Sequence, residues 1–90
     1  MKIHKVKSPF MSRIGQFEEG KQTLCIGLDM RALQEYDSFR VFLGEGKKVA
    51  YDILSATALG LTEHYHSDWT NKAGRRVAII PIKDFTRVEL

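Results

Sequence analysis

Arg75-Arg76-Val77-Ala78-Ile79-Ile80-Pro81-Ile82 is the stretch whose reading decides the fold. Val77 to Ile80 is apolar without interruption and rich in β-branched side chains, and Pro81 and Ile82 extend it. A run of this kind, bounded by turn signals, reads as a strand buried on both faces. Asn71-Lys72-Ala73-Gly74 supplies the turn before it, and Lys83-Asp84 the polar exit after it. Pro81 has no N–H to give a ladder, so the strand ends near Ile80 or carries Pro81 at a bulge or an edge.

The remainder is what must cover that strand. Residues 23–30 alternate, with Leu24, Ile26, Leu28 and Met30 on one side and Thr23, Cys25, Gly27 and Asp29 on the other. That period of two predicts a strand with one buried face. Asp29 is placed to cap a short helix over 30–36. Phe39-Arg40-Val41-Phe42-Leu43, the loop Gly44-Glu45-Gly46 and residues 47–54 read as a hairpin, with Val49, Tyr51 and Ile53 sharing a face. Ser55 is a plausible N-cap for a helix over 55–65; the rival reading is a strand continuing from Tyr51.

At the N-terminus, residues 2–7 alternate weakly and are rich in lysine, which predicts an edge strand. Phe10, Met11, Ile14 and Phe17 fall at helical spacing behind Ser8-Pro9, and predict a helical turn. Residues 18–21 read as a turn, and 66–74 as a polar loop. Phe85 and Val88, in the closing segment 83–90, have helix-like or irregular spacing. The expected architecture is a small single α+β domain over residues 1–90. It has a mostly antiparallel sheet of four or five strands and two or three short helices on one face.

Composition narrows the function. Of 90 residues, 43% are hydrophobic and 28% charged, which excludes a wholly disordered chain. So short a chain buries only about 60–65% of its unfolded surface, and a thin core of this kind is often supplemented by a partner subunit. With Phe10, Met11, Ile14 and Phe17 as surplus apolar surface, self-association is expected. The single cysteine, Cys25, forms no intrachain disulfide and reads as a small buried hydrophobe. One thiol, no membrane-length apolar run and no signal-peptide core point to a soluble cytoplasmic protein.

The net charge of +3 is unevenly distributed. Residues 1–21 and 71–90 each carry five basic and two acidic groups, so that both basic ends could meet as one positive face. Lys47 and Lys48 follow the hairpin loop; Lys72, Arg75 and Arg76 surround the turn before the central run, with Trp69 nearby. Cations interleaved with an aromatic are what phosphates and unpaired bases require. These six residues are therefore the candidate nucleic-acid contacts.

Residues 63–68 hold His64-Tyr65-His66-Ser67-Asp68. The His-x-His-x-Asp pattern resembles part of the metal-binding run of metallo-β-lactamase-type hydrolases. In that family a second histidine follows the aspartate, where this chain has Trp69, and the fold needs a far longer chain. The structural reading, surface histidines at a helix-to-loop junction, is the better one, and no metal or cofactor is expected. Gly44-Glu45-Gly46-Lys47 lacks the spacing of a phosphate loop and precedes a strand. No acid–base pair or activated nucleophile is evident. The leading expectation is a non-enzymatic interaction or accessory module that binds a protein partner or itself. The alternative is a nucleic-acid-binding regulator.

Overall fold

The decisive run forms β7 (Arg76–Pro81), buried from Ala78 to Pro81. The computed structural model describes residues 1–90 except 45, 47, 66, 67, 71 and 72, and only the backbone of 16, 18, 68 and 69. The other strands are β1 (Ile3–Val6), β2 (Phe10–Glu18), β3 (Lys21–Asp29), β4 (Ser38–Phe42), β5 (Val49–Leu54), β6 (Asp68–Thr70) and β8 (Thr86–Glu89). The helices are α1 (Met30–Glu35) and α2 (Ser55–Tyr65), with a 3-10 turn at Ile82–Asp84. Among the described residues the strands form two four-stranded sheets, ordered β1-β4-β5-β8 and β2-β3-β7-β6. The expected α+β class holds. The expected single sheet is replaced by two, because three segments read as helix, loop or irregular chain are strands.

In the second sheet β7 lies between β3 and β6. Ile26 pairs with Ile80 and Leu28 with Ala78, so these four share one face. That face meets Leu33 of α1, Ala58 of α2, Phe39, Val41 and Ile53 of the first sheet, and Phe85. The opposite face, which alternation left polar on β3, is also closed at its centre: Cys25 and Ile79 are both 0% exposed. Gly27 explains part of this closure. A Cβ there would lie 2.7 Å from both Phe10 Cδ1 and Val77 Cγ1, so these neighbours close over the space a side chain would need. Pro81 is the last residue of β7, beyond Ala78, where pairing with β6 ends, so its missing N–H falls at a strand terminus.

β2 corrects the helical expectation for 8–17. It pairs antiparallel with β3 from Phe10 opposite Gly27 to Ile14 opposite Thr23, and the register shifts before Glu18. Gly15 weakens a helix, and the ladder offered by β3 satisfies the same backbone groups. Phe17 reaches Tyr65 of α2 edge-on, with ring centroids 4.9 Å apart. The turn between β2 and β3 needs Gly20, whose φ is +74°.

The hairpin of β4 and β5 is as expected, with Phe39 opposite Ile53 and Val41 opposite Tyr51. β1 is the expected edge strand and runs parallel to β4. β8 corrects the irregular reading of the C-terminus, pairing antiparallel with β5 on the other side. β6 likewise corrects the polar-loop reading of 66–74. α1 starts as expected: the Asp29 carboxylate accepts from the Arg31 N–H at 2.8 Å. α2 settles the choice between helix and strand, but Ser55 is not its cap. The Ser55 hydroxyl is buried with no hydrogen-bond partner, while its N–H donates to the Asp37 carbonyl at 2.9 Å. No helix among the described residues is long and apolar enough to cross a membrane.

Candidate anion-binding cleft

Register brings the candidate cations into position. Asp29, the last residue of β3, pairs with Val77 of β7, so α1 begins beside the start of β7. Gly74, at φ +80°, turns the chain into Arg75 and Arg76. Between these segments lies a cleft of about 480 Å³ lined by Asp29, Met30, Arg31, Gln34 and residues 74–76. Its lining includes three arginines, Arg31, Arg75 and Arg76, and one carboxylate residue, Asp29. That carboxylate is already engaged: Asp29 Oδ1 caps α1, and Asp29 Oδ2 lies 3.9 Å from Arg75 Nη1. The Arg75 side chain is 74% exposed, so this ion pair holds it loosely.

The six candidate contacts do not form one site. Arg75 and Arg76 line the cleft. Lys48 lies instead in a separate depression of about 330 Å³, with Tyr51 and Arg87. Arg87 there donates to Glu89 at 2.8 Å. Lys47, Lys72 and the Trp69 side chain lie outside the described residues. Arg31 and Gln34 were missed by sequence reasoning. The Asp29 cap put Arg31 in the first turn of α1, but only the β3–β7 register sets it beside Arg75.

In the first sheet, Lys5 of β1 and Arg87 of β8 fall on opposite faces. β1 and β8 are opposite edges of the first sheet. Lys5 aligns with Arg40, Asp52 and Thr86, whereas Arg87 aligns with Tyr51, Val41 and Val6 on the other face. Arg40 and Asp52 make a two-pronged ion pair across β4 and β5 at 2.9 and 2.8 Å, so the central cation on the Lys5 face is already neutralised.

Cys25 is buried, its thiol donates to the Thr23 carbonyl at 3.3 Å, and burial pushes its pKa up to about 11. Such a thiol is withdrawn from nucleophilic chemistry. His64 stacks edge-on against Tyr65 at 4.9 Å. His66 and the Asp68 side chain, the other two groups of the His-x-His-x-Asp pattern, lie outside the described residues. Among the described residues, no group of three or more His, Cys, Asp or Glu is disposed to hold a metal.

No protein-family model, curated protein or solved structure matches this chain.

A second surface is apolar. β2 is the outer strand of the second sheet, and Phe10 and Met11 on it are 50% and 37% exposed. Ile14, farther along the strand, is half-buried.

Proposed function

We propose that this protein is a non-enzymatic interaction module that associates with its own copy through the open edge of β2. The supporting observation is that β2 ends its sheet with Phe10 and Met11 still substantially exposed. An outer strand presents unpaired backbone groups, and edges are ordinarily blunted by lysine, proline or bulges. Phe10-Met11-Ser12-Arg13-Ile14 contains neither lysine nor proline, and its pairing with β3 is regular until the shift beyond Ile14. An antiparallel pairing of two copies about Ser12 sets Phe10 of each opposite Ile14 of the other, and Met11 opposite Arg13. The two second sheets then run on as one, covering apolar surface that a small core leaves open. The withdrawn Cys25 thiol supports the non-enzymatic part of this reading.

Sedimentation at micromolar concentration tests it. The expected species is a dimer. Met11→Lys, placed on the exposed edge, is expected to yield a monomer with an unchanged circular-dichroism spectrum. A wild-type monomer throughout that range, or a dimer that survives Met11→Lys, refutes the β2 interface. The rival reading, a nucleic-acid-binding regulator, is supported by Arg75 and Arg76 in the cleft and weakened by the separate placement of Lys48.

A further inference from the structure

We infer that the outer face of the first sheet docks an amphipathic helix of a partner protein, its apolar stripe over Ile3 and Leu54 and its acidic flank toward Lys5. Register is the first argument. Phe39 pairs with Ile53 on the face of β4 and β5 that meets the core. Ile3, Ser38 and Leu54 align on the opposite face, at one end of β1, β4 and β5. Ile3 is 49% exposed and Leu54 52%. These two side chains stand one strand to either side of the shorter Ser38, and so wall a shallow furrow along β4. The walls are two strand spacings apart, roughly 9–10 Å, close to the width of an α-helix. The Ser38 hydroxyl donates to the Met1 thioether at 3.7 Å, which lays an adaptable apolar group on the furrow floor. Farther along the same face Phe42 and Ala50 pair and are buried, so the apolar opening is confined to the Ile3 and Leu54 end.

Charge is the second argument. In the next row Lys5 aligns with Arg40 and Asp52. Arg40 and Asp52 match each other through both guanidinium nitrogens, at 2.9 and 2.8 Å. Lys5 is exposed and belongs to no ion pair among the described residues. Lys7, also exposed, follows just beyond the end of β1. The furrow is thus apolar at its end and basic along its β1 side. A helix with an apolar stripe and carboxylates on the adjoining flank matches both features. Other occupants match fewer. A second copy has Leu33 of α1 and Ala58 of α2 turned into its own core, and its first sheet brings the same lysines. A nucleic acid gains from Lys5, but Ile3 and Leu54 offer no ring on which a base can stack.

Site-specific photo-crosslinking in the cells that make the protein tests this. The crosslinker replaces Leu54 or Ile3 in turn, with exposed Glu63 of α2 as the control position. Leu54 and Ile3 are expected to capture one and the same protein, and Glu63 not to. The linked segment is expected to be amphipathic, helical and acidic. As a synthetic peptide it should bind the full chain in calorimetric titration. Leu54→Asp should weaken that binding about tenfold or more, since it places a charge under the apolar stripe. Lys5→Glu should weaken it about threefold to tenfold at low salt and remove most of its salt dependence. Leu54 and Lys5 are exposed, so both variants should keep the wild-type melting temperature; Ile3→Gln serves in place of Leu54→Asp if that variant does not. Capture of a lipid, a nucleic acid or a second copy of this chain overturns the inference. So does equal capture from Glu63, no protein adduct at either position, a linked segment that is basic, or a Lys5→Glu variant that binds unchanged. Because Met11 lies on β2, Met11→Lys should give the wild-type adducts, which keeps this result independent of self-association.

Discussion

β7 and β2 belong to the same sheet with only β3 between them, yet they are written in the sequence in opposite ways. β7 is flanked on both sides and buried on both faces, so it needs an unbroken apolar run. Among the described residues β2 pairs with β3 alone and is the outer strand of its sheet, so only some of its positions need be apolar. Those positions, Phe10, Met11, Ile14 and Phe17, happen to fall at helical intervals. The irregular register between Ile14 and Glu18 removes the strict alternation that would have marked a strand. Burial on two faces thus leaves a local signature, whereas membership at an edge is decided by a partner strand that is itself unmarked at that position.

The comparison is most directly tested by cavities. Ile80→Ala on β7 is expected to cost about 2–5 kcal/mol, since its side chain is fully buried and cannot collapse onto solvent. Ile14→Ala on β2, where the side chain is half-buried, should cost about 1 kcal/mol. Urea unfolding of both variants decides the point. Equal costs would mean that the edge is as closed as the centre.

What could be read in advance follows the same division. The hairpin of β4 and β5 and the Asp29 cap rest on neighbours within a few residues, and both were legible; the burial of Cys25 was read from its apolar segment, although distant strands close over it. The second sheet was not, because β2 and β6 are recognisable only once β3 and β7 are paired. β8 was missed for a like reason: among the described residues its ladder is with β5, more than thirty residues earlier. The cleft shows the same limit. Arg75 and Arg76 are adjacent in sequence and stood out as a pair. Arg31 joins them through the pairing of Asp29 with Val77, which no local pattern encodes.

Gly27 links the two strands being compared. Its missing side chain leaves room for Phe10 from β2 and Val77 from β7. Gly27→Ala would place a Cβ 2.7 Å from both, and Val77 is stiff at χ1. The expected loss is about 1–3 kcal/mol, the usual range for overpacking. Phe10 sits at the open edge and can swing away, so Phe10→Ala in the Gly27→Ala background should recover part of the loss. A double-mutant cycle measures that coupling. Strict additivity would show that Phe10 does not press on Gly27, and that the closed centre owes nothing to the edge.

The smallest expected effect concerns Cys25, on the face of β3 that alternation assigned to the polar side. Its thiol is raised from an ordinary value of 9.0 to about 11 by burial. The folded state therefore favours the protonated thiol more strongly than the unfolded state does. Stability from this group is fully present below pH 9, and it is lost as pH rises from there through about 11, where the unfolded chain ionises first. At pH 8 the native thiol should react with a disulfide reagent only through opening of the second sheet, so labelling should track unfolding and slow in step with added stability. Between pH 7 and 8.5 the urea midpoint should not respond to this group. Cys25→Ser should respond even less to pH above 9, while leaving a hydroxyl to bond the Thr23 carbonyl. Rapid labelling at pH 8, with the pH dependence of a free thiol, would mean that the Cys25 and Ile79 face is open to water. β7 would then be buried on one side only, and its difference from β2 would be one of degree.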